Sequence, residues 1–176
     1  MNIVFSYIRL LVFLGCALAG VQVPGFVDQY GKSLEAHVLE SQFALQEFQA
    51  DADKFFEGNL ERLIAHYKAS DDAVFHDGGS SIETIYARNV MLKANLAAFR
   101  SSFFSAYQQA LFAPVPDVGE EVRSNYTYTV QLNPVAVGFG LGVGFFIALG
   151  IELLLRLLCF LGRRFVAASK KRKLMS

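Results

Sequence analysis

Two long apolar runs bracket a middle stretch whose apolar residues recur in helical rhythm. The first run, Ile3 to Val23, contains one charged residue, Arg9. The second, Val135 to Leu161, contains two, Glu152 and Arg156. About 20 apolar residues suffice to cross a ~30 Å hydrocarbon core. At ~1.5 Å rise per residue the second run reaches ~40 Å, long enough to tilt or to extend into the headgroups. A chain of 176 residues with two such runs cannot supply a soluble core around both. The pattern therefore predicts two membrane-spanning helices.

Between the runs, Pro24-Gly25 is expected to interrupt the first helix. A stripe then repeats every 3.5 residues through Val27, Gly31, Leu34, Val38, Ser41, Leu45, Phe48, Ala52 and Phe55, which predicts a helix over about 27–56. Gly58-Asn59 stops it. Leu60, Leu63, Ile64 and Tyr67 share one face of a short helix over 60–69. Ser70-Asp71-Asp72 and Asp77-Gly78-Gly79 read as a loop, with Ser80-Ser81 as a cap and Glu83 in the first turn of the next helix. That helix, about 81–112, carries a second heptad seam: Ile82, Ile85, Asn89, Leu92, Leu96, Phe99, Phe103, Ala106 and Ala110. Asn89 is its one polar member, a register-setting residue type. Matching seams joined by a returning loop predict an antiparallel helical hairpin. Phe43, Phe56, Phe104 and Phe112 lie off the seams and widen the apolar face. Pro114, Pro116 and Gly119 end the third helix. Asn125 to Asn133 is read as an extended return segment, with Tyr126 and Tyr128 as interfacial anchors.

Charge orients this arrangement. The formal net charge is zero, but it is unevenly distributed. Between Pro24 and Asn133 stand fifteen acids and eight bases, whereas Arg163, Arg164, Lys170, Lys171, Arg172 and Lys173 follow Leu161 without an acid. Basic flanks stay in the cytoplasm, so both termini are placed inside and the acidic middle outside. The basic tail also suits anionic lipid headgroups. Cys16 and Cys159 both fall in apolar runs, at different depths, so no disulfide is expected and the external part must hold by packing alone.

The first run admits two readings. Ala17-Leu18-Ala19 would suit a signal-peptide cleavage site. An uncleaved span is favoured because Arg9 then has a partner. In antiparallel spans, Arg9 lies six residues beyond Ile3, while Glu152 and Arg156 lie nine and five residues before Leu161. Glu152 is expected to face the first span and pair with Arg9, with Arg156 one turn further on and also able to pair with Glu152. Gly138, Gly140, Gly142 and Gly144 form two overlapping GxxxG patterns, suited to close approach by the first span or by a second copy.

No constellation for catalysis emerges. His37 stands alone on a helix. His66 and His76 flank Asp71, Asp72 and Asp77 without a tight metal-ligand spacing, and a solvated helix cap is the simpler account. GFGLGVG lies inside an apolar run rather than between a strand and a helix, so it is no dinucleotide fingerprint. No cofactor, no metal and no nucleic-acid partner is expected; the bilayer is the partner the composition implies.

GVQVPGFVDQY (20–30), LIAHYKASDDAVFHD (63–77), YTVQLNP (128–134) and GIELLLRLL (150–158) resemble a bacterial inner-membrane family known as domain of unknown function 2937. The resemblance covers nearly the whole chain. It implies a proteobacterial envelope protein with two spans, and it carries over no catalytic residue.

The expected architecture is an all-α membrane protein: a span over 1–23, a periplasmic helical domain over 24–134, a second span over 135–161 and a basic cytoplasmic tail over 162–176. The expected role is non-enzymatic: the helical hairpin serves as an interaction surface for a second copy or for another envelope protein. An accessory sensor or transporter subunit is the alternative; a sensor would have to signal through a partner, given the short stretch after Leu161.

Overall fold

The computed structural model describes residues 3–127 and 134–173. Every element among them is helical: α1 (Ile3–Phe55), α2 (Leu60–Lys68), α3 (Ala73–Ser101), α4 (Phe103–Phe112), α5 (Pro116–Asn125) and α6 (Pro134–Lys173). The chain divides into two compact units, one formed by Met1–Gly25 with Thr127–Ser176 and the other by Phe26–Tyr126.

The Phe26–Tyr126 unit is built on the stripe of α1. Val27, Leu34, Val38, Leu45 and Ala52 are buried, as are Gly31 and Ser41. Tyr30, which the heptad count passes over, is fully buried. The core falls into two clusters. In one, Val27, Tyr30, Leu34 and Val38 pack with Leu92 of α3, Ala110 of α4, and Val115, Val118 and Val122. In the other, Leu45 and Ala52 pack with Leu60, Leu63 and Ile64 of α2 and Ile82 of α3. Both heptad stripes thus supply core, except at Phe55, which ends the first and is 74% exposed, and at Phe103, inside the second, which is 57% exposed.

Four local expectations are corrected. Pro24 does not interrupt α1, which continues through it. Proline removes one ladder donor and crowds the carbonyl four residues back, here that of Gly20, yet the helix continues through it. Second, α3 starts at Ala73 rather than near Ser81. Asp72 is the cap, its Oδ1 accepting from the Val74 N–H at 2.8 Å, a contact type worth ~1 kcal/mol. Asp77-Gly78-Gly79 lies within the helix. Gly79 is there for packing: a Cβ would stand 2.8 Å from Lys68 Cγ and 2.9 Å from Lys68 N. Ser80, Ser81 and Thr84 turn their hydroxyls back onto the carbonyls of His76, Asp77 and Ser80 instead of capping.

Third, the long helix breaks at Ser102, which adopts extended backbone and accepts from the Ser105 N–H, starting α4 afresh. Fourth, Pro116 begins a helix rather than ending one. It sits in the first turn of α5, where its missing N–H costs nothing, with Asp117 favourably placed at the N-terminus. Tyr126 caps α5 and its ring meets Phe26 edge-on at 5.5 Å. The rest of the predicted return segment, Tyr128 to Asn133, lies outside the described residues, as does the side chain of Cys159. Cys16 is a free thiol.

The stop at Gly58 stands as the sequence implies. Glu57 and Gly58 both adopt positive φ, 57° and 79°, and the Gly58 N–H reaches the Ala52 carbonyl at 3.0 Å. Asn59 then caps α2 by accepting from the Arg62 N–H.

Candidate functional site

In the unit formed by the two chain ends, three charged side chains meet. Arg9 Nη1 lies 3.2 Å from Glu152 Oε2, and Arg156 Nη2 lies 2.5 Å from Glu152 Oε1. One carboxylate thus accepts from two guanidiniums, one on α1 and one a turn along α6. The group carries a net charge of +1. In a low-dielectric surrounding, stripping either arginine from Glu152 would be costly, so the contact fixes which faces of the two helices meet.

The glycines sort by face. A Cβ on Gly140 would collide with Val21 Cγ2 and stand 2.7 Å from the Ala17 carbonyl oxygen. One on Gly144 would lie 3.1 Å from Ala17 N and Cβ. Gly20 of α1 answers them, its virtual Cβ falling 3.0 Å from Gly140 Cα. Gly138 and Gly142 have nothing within 4 Å. The Gly140/Gly144 pattern therefore serves contact with α1, and the Gly138/Gly142 pattern faces away from it. Gly20 and Ala17, the other half of this contact, were not singled out from the sequence. Ala17-Leu18-Ala19-Gly20 is a small-residue signal, but it reads equally well as a cleavage site.

The Phe26–Tyr126 unit holds a polar contact inside its core. Asn89, 3% exposed, donates from Nδ2 to Ser41 Oγ at 2.8 Å, and Ser41 donates to the Val38 carbonyl at 2.9 Å. Every buried side-chain nitrogen and oxygen among the described residues has a partner. Around this contact, charged groups tie α5 to its neighbours. Glu121 meets His37 Nε2 at 2.6 Å and accepts from Ser33 Oγ at 3.3 Å. Arg88 pairs with Asp117 and holds its carboxyl below the usual carboxylate range. Arg100 reaches Glu35 of α1 at 2.7 Å. His37 is thus not alone; sequence reasoning missed Glu121 because α5 itself was missed.

The other histidines separate. His66 lies against the Phe56 ring at 5.4 Å, and His76 Nδ1 lies 3.4 Å from Asp77. Among the described residues, no three His, Cys, Asp or Glu side chains converge as metal ligands would. An open groove between α2 and α3, floored by Ile64, Ala65, Val90, Met91 and Ala94, is edged by Tyr86 and the Lys68–Glu83 pair. Tyr86 donates to Glu61, whose carboxylate pushes the phenol up from its ordinary value. These contacts fasten helices to one another.

All-helical architecture with two helices long and apolar enough to cross a membrane defines the class of protein. The family of proteins of unknown function DUF2937 matches residues 4–164, and the chain belongs to that family. No curated protein and no solved structure matches the chain.

Proposed function

We propose that the protein is a non-enzymatic component of a bacterial inner membrane, anchored by two antiparallel spans with both termini in the cytoplasm. Its helical domain, on the periplasmic side, is an interaction surface. The observation that carries the anchoring is the order of contacts between the apolar helices: Arg9 with Glu152, Ala17 with Gly144, Gly20 with Gly140. Positions rise along one helix as they fall along the other. Three successive contacts of this kind suit paired spans, because small residues and paired charges hold helices together where lipid removes the hydrophobic force. The basic tail supports the inside placement of the C-terminus.

The interaction role is supported by large apolar side chains that stand out from the domain, Phe43 at 78% and Phe112 at 82% exposed among them. Topology reporters test the map. Alkaline phosphatase fused after Ser176 should be inactive, and the same enzyme inserted at Ser70-Asp71 should be active. The reverse pattern would invert the orientation. Turnover of a substrate by the purified chain alone would remove the non-enzymatic reading.

A further inference from the structure

The turn between α3 and α4 carries two neighbouring phenylalanines that the core does not use. Phe103 is 57% exposed and Phe104 83%. Their place within the Phe26–Tyr126 unit follows from contacts along α3. Asn89 meets Ser41, and the Phe99 ring lies against Gly31 and Tyr30. As α3 advances ten residues, its contact on α1 retreats by about ten. Beyond Phe99 the helix breaks at Ser102 and α4 turns back along α3, with Ser105 Oγ on the Ala98 carbonyl and Gln109 on Asn95, so Phe103 stands at that turn, near the level of Tyr30. The start of α4 agrees, since Ala106 and Tyr107 pack on the cluster that contains Val27 and Tyr30. Phe103 and Phe104 thus mark the same end of the unit as Phe26 and Tyr126, where the chain enters and leaves it.

Phe26, at that end, is tied to the first apolar run by covalent reach alone. Phe26 follows Val23 by three residues, which span at most ~11 Å. From this we infer that Phe103 and Phe104 insert into the headgroup region of the outer leaflet, making the α3–α4 turn a third point of membrane attachment. The occupant is a phospholipid surface. The inference rests on the two-span reading. Aromatic side chains favour this zone, where a ring meets acyl chains while the adjoining backbone stays wet. Ser101, Ser102 and Ser105 flank the pair in sequence, their hydroxyls engaged at the turn with the Ala98 carbonyl and the Ser105 N–H. Phe43 makes the contrast: it is equally exposed, but it lies sixteen residues beyond Val27 on α1, ~24 Å along the helix.

The chain contains no tryptophan, so a single substituted indole reports without background. Phe104→Trp, Phe43→Trp and Phe146→Trp are prepared as full-length chains and reconstituted in phosphatidylcholine vesicles, with or without bromine on the acyl chains near the headgroup. Phe146, 71% exposed on α6, reports on the span. The expected result is a blue-shifted Phe104→Trp emission that loses at least half its intensity in brominated vesicles, with Phe43→Trp unquenched and Phe146→Trp quenched. An unquenched Phe104→Trp beside a quenched Phe146→Trp overturns the inference and leaves the spans standing. A blue-shifted but unquenched Phe104→Trp also overturns it, since the ring is then covered by protein, such as a second copy. If Phe146→Trp is unquenched, the two-span reading falls and takes this inference with it.

Discussion

Asn89 shows how a polar residue can be cheap inside a seam. Its amide donates to Ser41, whose hydroxyl donates onward to Val38, so no buried group is orphaned. Asn89→Ala should cost about 1–3 kcal/mol, read as a lower melting temperature in detergent, because Ser41 loses its donor and a cavity opens. Asn89→Leu combined with Ser41→Ala should recover most of the loss, since replacing both partners leaves nothing unsatisfied. Asp117 gives a different signal. The Arg88 hydrogen bond holds its folded-state pKa below the ordinary 3.8. Its contribution is therefore complete above that ordinary value and is lost as pH falls through the lowered one. Asp117→Asn should lower the melting point by a few degrees at most at pH 7, because the pair is half exposed. The gap between variant and wild type should narrow as the buffer is taken below pH 3.8. The residue the heptad count passed over, Tyr30, was hidden for a physical reason. A two-helix seam needs one narrow stripe, whereas this stretch of α1 is covered by α3, α4 and α5 together. The extra width takes in Tyr30, whose hydroxyl accepts from the Val115 N–H at 3.0 Å.

At the scale of helices, much of the map was readable from periodicity. The stripe of α1, the stop at Gly58, the face of α2 and the seam of α3 all follow from spacing and caps. What was not readable shares one cause: glycine and proline carry different messages in different surroundings. Gly79 reads as a turn but supplies clearance for α2. Pro116 reads as a terminator but opens α5, whose apolar content is only Val118 and Val122 beyond its leading Val115. Pro24 reads as a break, yet α1 passes through it. The glycines of α6 were ambiguous in the same way, because spacing alone cannot say which face meets a neighbour. The distinction is testable. Gly140→Leu should lower the melting temperature by the equivalent of about 1–3 kcal/mol, because the side chain must push Val21 and Ala17 aside. Gly138→Leu should leave it unchanged, and a loss there equal to that of Gly140→Leu would reverse the assignment of faces.

For the molecule as a whole, charge is arranged by segment. All acids but Glu152 lie between Asp28 and Glu121, and six bases follow Leu161. Replacing Arg163, Arg164 and Lys170 to Lys173 with glutamine should weaken the orientation signal, seen as phosphatase activity emerging from a fusion after Ser176. The pairing of Phe26 with Tyr126 has a consequence of its own. A unit whose first and last rings sit 5.5 Å apart is a self-closed cassette. It is suited to excision as a free-standing module, or to circular permutation, in which a linker of a few glycines joins the old ends and new ones are opened at Ser70, in the bend between α2 and α3.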